Sequence, residues 1–99
     1  MGKEDLFNCI KEQTDKIIDE LIKLDTIKEK EKVLWQQAMK KEDLIGALGL
    51  GLRSVTRGIR HLILEGELFE LKNPDEDKRI KKYVSYDEFF NNMVRNRKL

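Results

Sequence analysis

The stretch that most narrows the possible folds runs from Asp43 to Gly66, where two helix-patterned segments are separated by a glycine-bearing break. Asp43-Leu44-Ile45-Gly46-Ala47-Leu48 predicts a short helix that stops at Gly49, a residue able to take the left-handed conformation favoured just past a helix end. A tight turn, Gly49-Leu50-Gly51, follows. From Leu52 to Leu64 the pattern is helical again, with Val55, Ile59, Leu62 and Ile63 on one face and Gly66 just beyond. Two helices joined this closely must both turn their apolar faces onto a shared core.

The flanking segments supply that core. Phe7, Ile10, Thr14, Ile17, Leu21 and Leu24 alternate by threes and fours, which predicts a helix from about Glu4 to Leu24, widened by Ile18 and Ile22. A stripe of this width suits a dimerisation element; an ordinary amphipathic core helix fits the same spacing. Thr26-Ile27-Lys28-Glu29 has the form of a capping box and opens a second helix, carrying Ile27, Val33, Leu34, Ala38 and Met39, to about Lys40. Trp35 reads as core filling rather than as a platform for stacking bases. Leu68-Phe69-Glu70-Leu71 and Ile80-Lys81-Lys82-Tyr83-Val84 predict two strands joined through Asn73-Pro74-Asp75-Glu76-Asp77, a hairpin with a polar tip. Ser85-Tyr86-Asp87-Glu88 is a second capping box, before a helix with Phe89, Phe90, Met93 and Val94 on its apolar face and a basic tail.

The chain has 99 residues, enough for one domain whose core is small enough to gain from a partner subunit. Charged and hydrophobic residues each make up 39% of it, a balance that predicts a folded, soluble chain. No apolar run approaches the roughly 20 residues of a membrane span, and the acidic opening is unlike a secretion signal, so a cytoplasmic address is expected. Cys9 is the only cysteine, which excludes an internal disulfide and a Cys-rich zinc site and predicts a small buried hydrophobe. The formal charge of +1 conceals a segregation. Cations cluster in the C-terminal half, at Arg53, Arg57 and Arg60, at Lys78, Arg79, Lys81 and Lys82, and at Arg95, Arg97 and Lys98.

The order helix, short helix, turn, helix, hairpin is that of a winged helix-turn-helix. Residues Leu44 to Leu62 resemble, without a gap, the helix-turn-helix of bacterial winged-helix regulators, and Glu65-Gly66-Glu67-Leu68 resembles the exit into the wing. Asn73 to Ser85 is similar to the wing of the MarR-type regulators. That resemblance implies an Asp-x-Arg motif in which Arg79 enters the minor groove and Asp77 braces it. Two departures stand out: Gly51 occupies the position where a Ser or Thr cap is usual, and Gly58 sits inside the second helix. The expected fold is mainly α with a small β-hairpin (α+β), a winged helix-turn-helix over residues 26–86, with extra helices at 1–25 and 87–99.

Independently of resemblance, placing Val55, Ile59 and Leu62 inward turns Arg53, Arg57 and Arg60 outward, with Ser54 and Thr56 flanking, on a helix free of acids. Arginine anchors phosphates and donates two hydrogen bonds to guanine, so this face is the expected site of duplex DNA contact. Lys72, Asn73, Lys78, Arg79, Lys81 and Lys82 extend it along the wing, which is expected to contribute at least as much binding energy as the helix. Phe7, Ile10, Ile17 and Leu21, with Phe89, Phe90 and Met93, are the expected dimer contacts. The single histidine, His61, has no catalytic partner at a recognisable spacing, and no phosphate-binding glycine loop exists, so neither enzyme chemistry nor a cofactor or metal is expected. The MarR-type regulators are longer and hold an effector between dimerisation helices; at this length no small-molecule effector is expected. A homodimeric regulator, or an accessory protein marking a plasmid's transfer or replication origin, is the favoured function. A winged helix used only for protein assembly is the alternative.

Overall fold

The computed structural model describes residues 2–73, 77 and 79–85. The C-terminal helix expected after Tyr86, with Phe89, Phe90 and Met93, lies outside the described residues, as does Lys78. Four helices come first, α1 (Gly2–Leu21), α2 (Ile27–Gln37), α3 (Lys41–Leu48) and α4 (Leu52–Leu64). They lead into an antiparallel hairpin of β1 (Leu68–Leu71) and β2 (Lys82–Ser85), with Leu68 opposite Ser85 and Leu71 opposite Lys82. Tyr83 also donates its N–H to the Met39 carbonyl at 2.8 Å, so the chain between α2 and α3 adds a single bridge to the hairpin. This is a winged helix-turn-helix.

Helix α1 is its central element. Leu6, Ile10, Thr14, Ile17 and Leu21 recur at helical spacing and are buried, the four apolar ones at 0% exposure. Its first half joins Leu44, Val55, Ile59, Leu62, Leu68 and Tyr83 in one cluster; its second half joins Leu34, Ala38 and Val84 in another. Of the expected dimer contacts on α1, Ile10, Ile17 and Leu21 are buried within the single chain, and half-buried Phe7 packs on its own chain's core. A 99-residue chain needs its longest apolar stripe to build one core.

The element boundaries differ from expectation where tertiary contacts compete with propensity. Helix α1 stops at Leu21 rather than Leu24 because its last turn tightens, Lys23 and Leu24 donating to the carbonyls three residues back. Helix α2 starts as expected, with Glu29 N–H donating to Thr26 Oγ1 at 3.2 Å, but ends at Gln37 because Met39 is drawn into the bridge with Tyr83. Strand β2 begins at Lys82 rather than Ile80. Its Tyr83 and Val84 are both buried because one faces each cluster. Buried Thr14 fixes the strand's end, donating to the Ile10 carbonyl at 2.8 Å while accepting from Ser85 N–H at 3.0 Å.

Gly58 explains itself in this packing. A Cβ there would stand 2.3 Å from Leu6 Cδ1 and 4.0 Å from the Lys3 backbone, so the missing side chain lets α1 cross close to α4. Next to this crossing, Lys3 bridges to Glu65. Gly58→Val is therefore expected to lower unfolding stability in urea by about 1–3 kcal/mol through overpacking, more than the few tenths of a kcal/mol of helix propensity it gains. An unchanged or higher midpoint would contradict the close crossing.

Candidate nucleic-acid interface

Helix α4 buries Val55, Gly58, Ile59 and Leu62 and so has its inner face set by the core. At about 100° per residue the side chains of Arg53, Arg57 and Arg60 project from an arc of roughly 60° on the other side. All three are exposed, as is Ser54, and Thr56 is half-buried. Leu52, Arg53, Thr56, Arg57, Arg60 and His61 line one open depression along the helix. Among the described residues none of the three arginines has an ion-pair partner.

Both ends of this helix are built without side-chain caps. Gly51 precedes α4 and offers no capping oxygen. At the other end the N–H of Gly66 reaches the Ile63 carbonyl at 3.0 Å and that of Glu67 the Leu62 carbonyl at 2.9 Å, a Schellman closure that the positive φ of Gly66, 76°, makes possible. A left-handed glycine also closes α3: Gly49, φ 67°, donates its N–H to the Ile45 carbonyl at 2.9 Å, a single-bond cap, and turns the chain directly into α4. At its start α3 is held by Asp43, whose carboxylate accepts from the Lys40 N–H at 3.1 Å.

In the wing, Asp77 and Arg79 form a self-contained unit. The Asp77 carboxylate accepts from Arg79 Nε at 3.2 Å and from Arg79 Nη2 at 2.9 Å, and also from the Arg79 backbone N–H at 2.9 Å. The guanidinium first, and then the backbone N–H, hold the Asp77 carboxyl below its ordinary value. The Arg79 side chain is nonetheless 91% exposed, so the brace orients the charge without hiding it.

The other wing cations are less free. Lys72 and Lys81 flank the same oxygen of Glu70, at 3.7 and 3.9 Å. Lys82 is half-buried against α2, its ammonium 2.7 Å from the Trp35 carbonyl oxygen. Asn73 is half-buried at the end of β1. Sequence reasoning took the wing as a cluster of free cations and missed Glu70. The signal was available, since Glu70 and Lys72 are two apart on one strand face and the hairpin register brings Lys81 alongside.

No family model and no curated protein matches this chain. Among solved structures, two chains of the adhesin competence repressor (AdcR) from Streptococcus pyogenes are similar to it, each at a TM-score of 0.47. One is 25% identical over 65% of this chain and 45% of its own length. The other, C-terminally His-tagged, is 24% identical over 83% and 68%. This chain thus spans less than half of the first. With overlap this partial, function has to be read from the α4 face and the wing themselves.

Two other groups bear on the chemistry of the site. Cys9 is half-buried with its Sγ 3.9 Å from Met39 Sδ, and burial, then Glu12, push its thiol up, away from the reactive thiolate. Burial, then Glu70 and Glu42, raise the Tyr83 phenol, which belongs to the core. Among the described residues no three His, Cys, Asp or Glu side chains converge as a metal site, and no helix is long and apolar enough to cross a membrane.

Proposed function

We propose that the chain binds duplex DNA sequence-specifically through the outward face of α4 and the wing, as a dimeric transcriptional regulator or an accessory protein at a mobile element's origin. One observation carries this reading: three arginines share an exposed helix face without an acidic partner among the described residues. A solvated charge stripe ordinarily interleaves both signs. An unpaired row of guanidinium groups on a single helix instead matches what the major groove admits, with phosphates at its rims and guanine edges at its floor. Arg79, braced and exposed at the wing, supplies a fourth contact, suited to the adjacent minor groove.

Within this reading α1 builds the domain and does not join two of them. Dimerisation falls instead to the segment after Ser85, where Phe89, Phe90 and Met93 recur at helical spacing. Lys72 and Lys81 contribute less than their number suggests, because each must share or leave Glu70.

The test is a fluorescence titration against duplex DNA at salt concentrations from about 50 to 200 mM. Four arginine contacts per protomer, doubled in the dimer, predict a log–log slope of about −7, hence a loss of affinity on the order of ten-thousandfold over that range. A protein-assembly module, meeting an acidic protein partner through the same surface, would show no salt-sensitive duplex binding.

A further inference from the structure

Lys82 differs from the other wing cations in where its charge is placed. It opens β2 opposite Leu71, the ladder pair next to the loop of the hairpin. Its ammonium donates to the Trp35 carbonyl at 2.7 Å and lies over the indole ring, 4.7 Å from the centroid. Trp35 stands in the last turn of α2, where backbone carbonyls have no partner further along the helix.

That helix end has no basic residue of its own in its last turn. Two other terminal carbonyls are met locally or by α1: Leu34 accepts from the Ala38 N–H at 3.0 Å, and Gln37 from the Gln13 side chain at 2.9 Å. Lys82 therefore brings both a hydrogen bond and a positive charge to the negative pole of α2, from a distant part of the sequence. An ammonium engaged on a carbonyl and a ring face is turned toward the protein. Arg79 lies three residues earlier, next to the turn in which Ile80 N–H donates to the Asp77 carbonyl at 3.0 Å.

We propose that Lys82 is a positioning residue for duplex binding: it pins the start of β2, where the wing loop returns to the ladder, to the end of α2, and so fixes where Arg79 meets DNA, without neutralising a phosphate itself. The proposal rests on the duplex-binding reading above.

The experiment compares Lys82→Met, Lys82→Arg and Lys81→Met by duplex titration across salt, at a temperature where each variant keeps the wild-type circular dichroism. Emission from Trp35, the only tryptophan, is recorded alongside. Lys82→Met is expected to weaken binding about tenfold at an unchanged salt slope, and to alter Trp35 emission. Lys82→Arg restores most of the affinity, because a guanidinium can both stack on the indole and donate to the carbonyl. Lys81→Met leaves the emission alone. If Lys82→Met does not fold, Trp35→Phe, which keeps the carbonyl and loses part of the ring contact, is expected to give a smaller loss at the same slope.

A slope that falls by about 0.9 per protomer in Lys82→Met makes Lys82 a phosphate ligand and overturns the proposal. Wild-type affinity in Lys82→Met overturns it too. Both outcomes leave the duplex-binding reading standing, whereas a wild-type protein without salt-sensitive duplex binding removes that reading, and this role with it.

Discussion

Replacing Arg53, Arg57 and Arg60 together by alanine is expected to flatten the salt dependence of duplex binding by about 2.7 in log–log slope per protomer, twice that for the dimer, and to weaken binding by more than about a hundredfold at moderate salt. The magnitude follows from three cations whose counterions, on the DNA, are released one for one. Arg79→Ala should remove about 0.9 of slope per protomer, and Lys72→Ala with Lys81→Ala less per residue, since Glu70 already lies beside both ammonium groups. Sequence alone ranks the wing at least equal to α4. Glu70 leads us to expect the opposite order, because Lys72 and Lys81 meet DNA only by sharing or leaving it. Titrations of the two sets of variants, folded alike by circular dichroism, decide it: a larger slope change from the wing would restore the first ranking.

Leu44→Ala is expected to give the largest loss of stability of any single truncation in the helix-turn-helix. Leu44 is the one buried residue of α3, at 0% exposure, and inserts that short helix into the cluster built by α1 and α4. Truncation removes the transfer free energy of the side chain and leaves a cavity, about 2–5 kcal/mol together. For a domain of this size each kcal/mol lowers Tm by roughly 4–8 °C, so a fall of about 10 °C or more is expected. Leu52→Ala is the matched control. Leu52 is 60% exposed at the start of α4, and its loss should stay within about 0.5 kcal/mol. Equal melting temperatures for the two variants would contradict the division between inner and outer faces.

Much of this architecture was legible because local chemistry and packing agree. Gly49 and Gly66 take the left-handed turns that end α3 and α4, Thr26 caps α2, and Leu68 to Leu71 form the strand their pattern implies. The outward arc of α4 was legible for the same reason, since its inner face is fixed by three apolar residues at helical spacing. Periodicity tells which residues are buried but not against what, and α1 is the instance. Ile10, Ile17 and Leu21 would show the same stripe whether they met a second subunit or their own core. Gly58 departs from the helical pattern for a reason only packing shows, since Leu6 stands against it. Lys82 likewise reads as one cation among several, because the Trp35 carbonyl that receives it is 47 residues away in the chain.

The account stands on one duplex meeting α4 and the wing at once, and backbone amide shifts followed during titration of the isotopically labelled protein with a short duplex test this directly. Amides from Leu52 to His61 and from Arg79 to Lys82 should move together, with a common Kd, while those on the exposed side of α1 stay in place. Shifts confined to one of the two segments, or centred on α1, would contradict it.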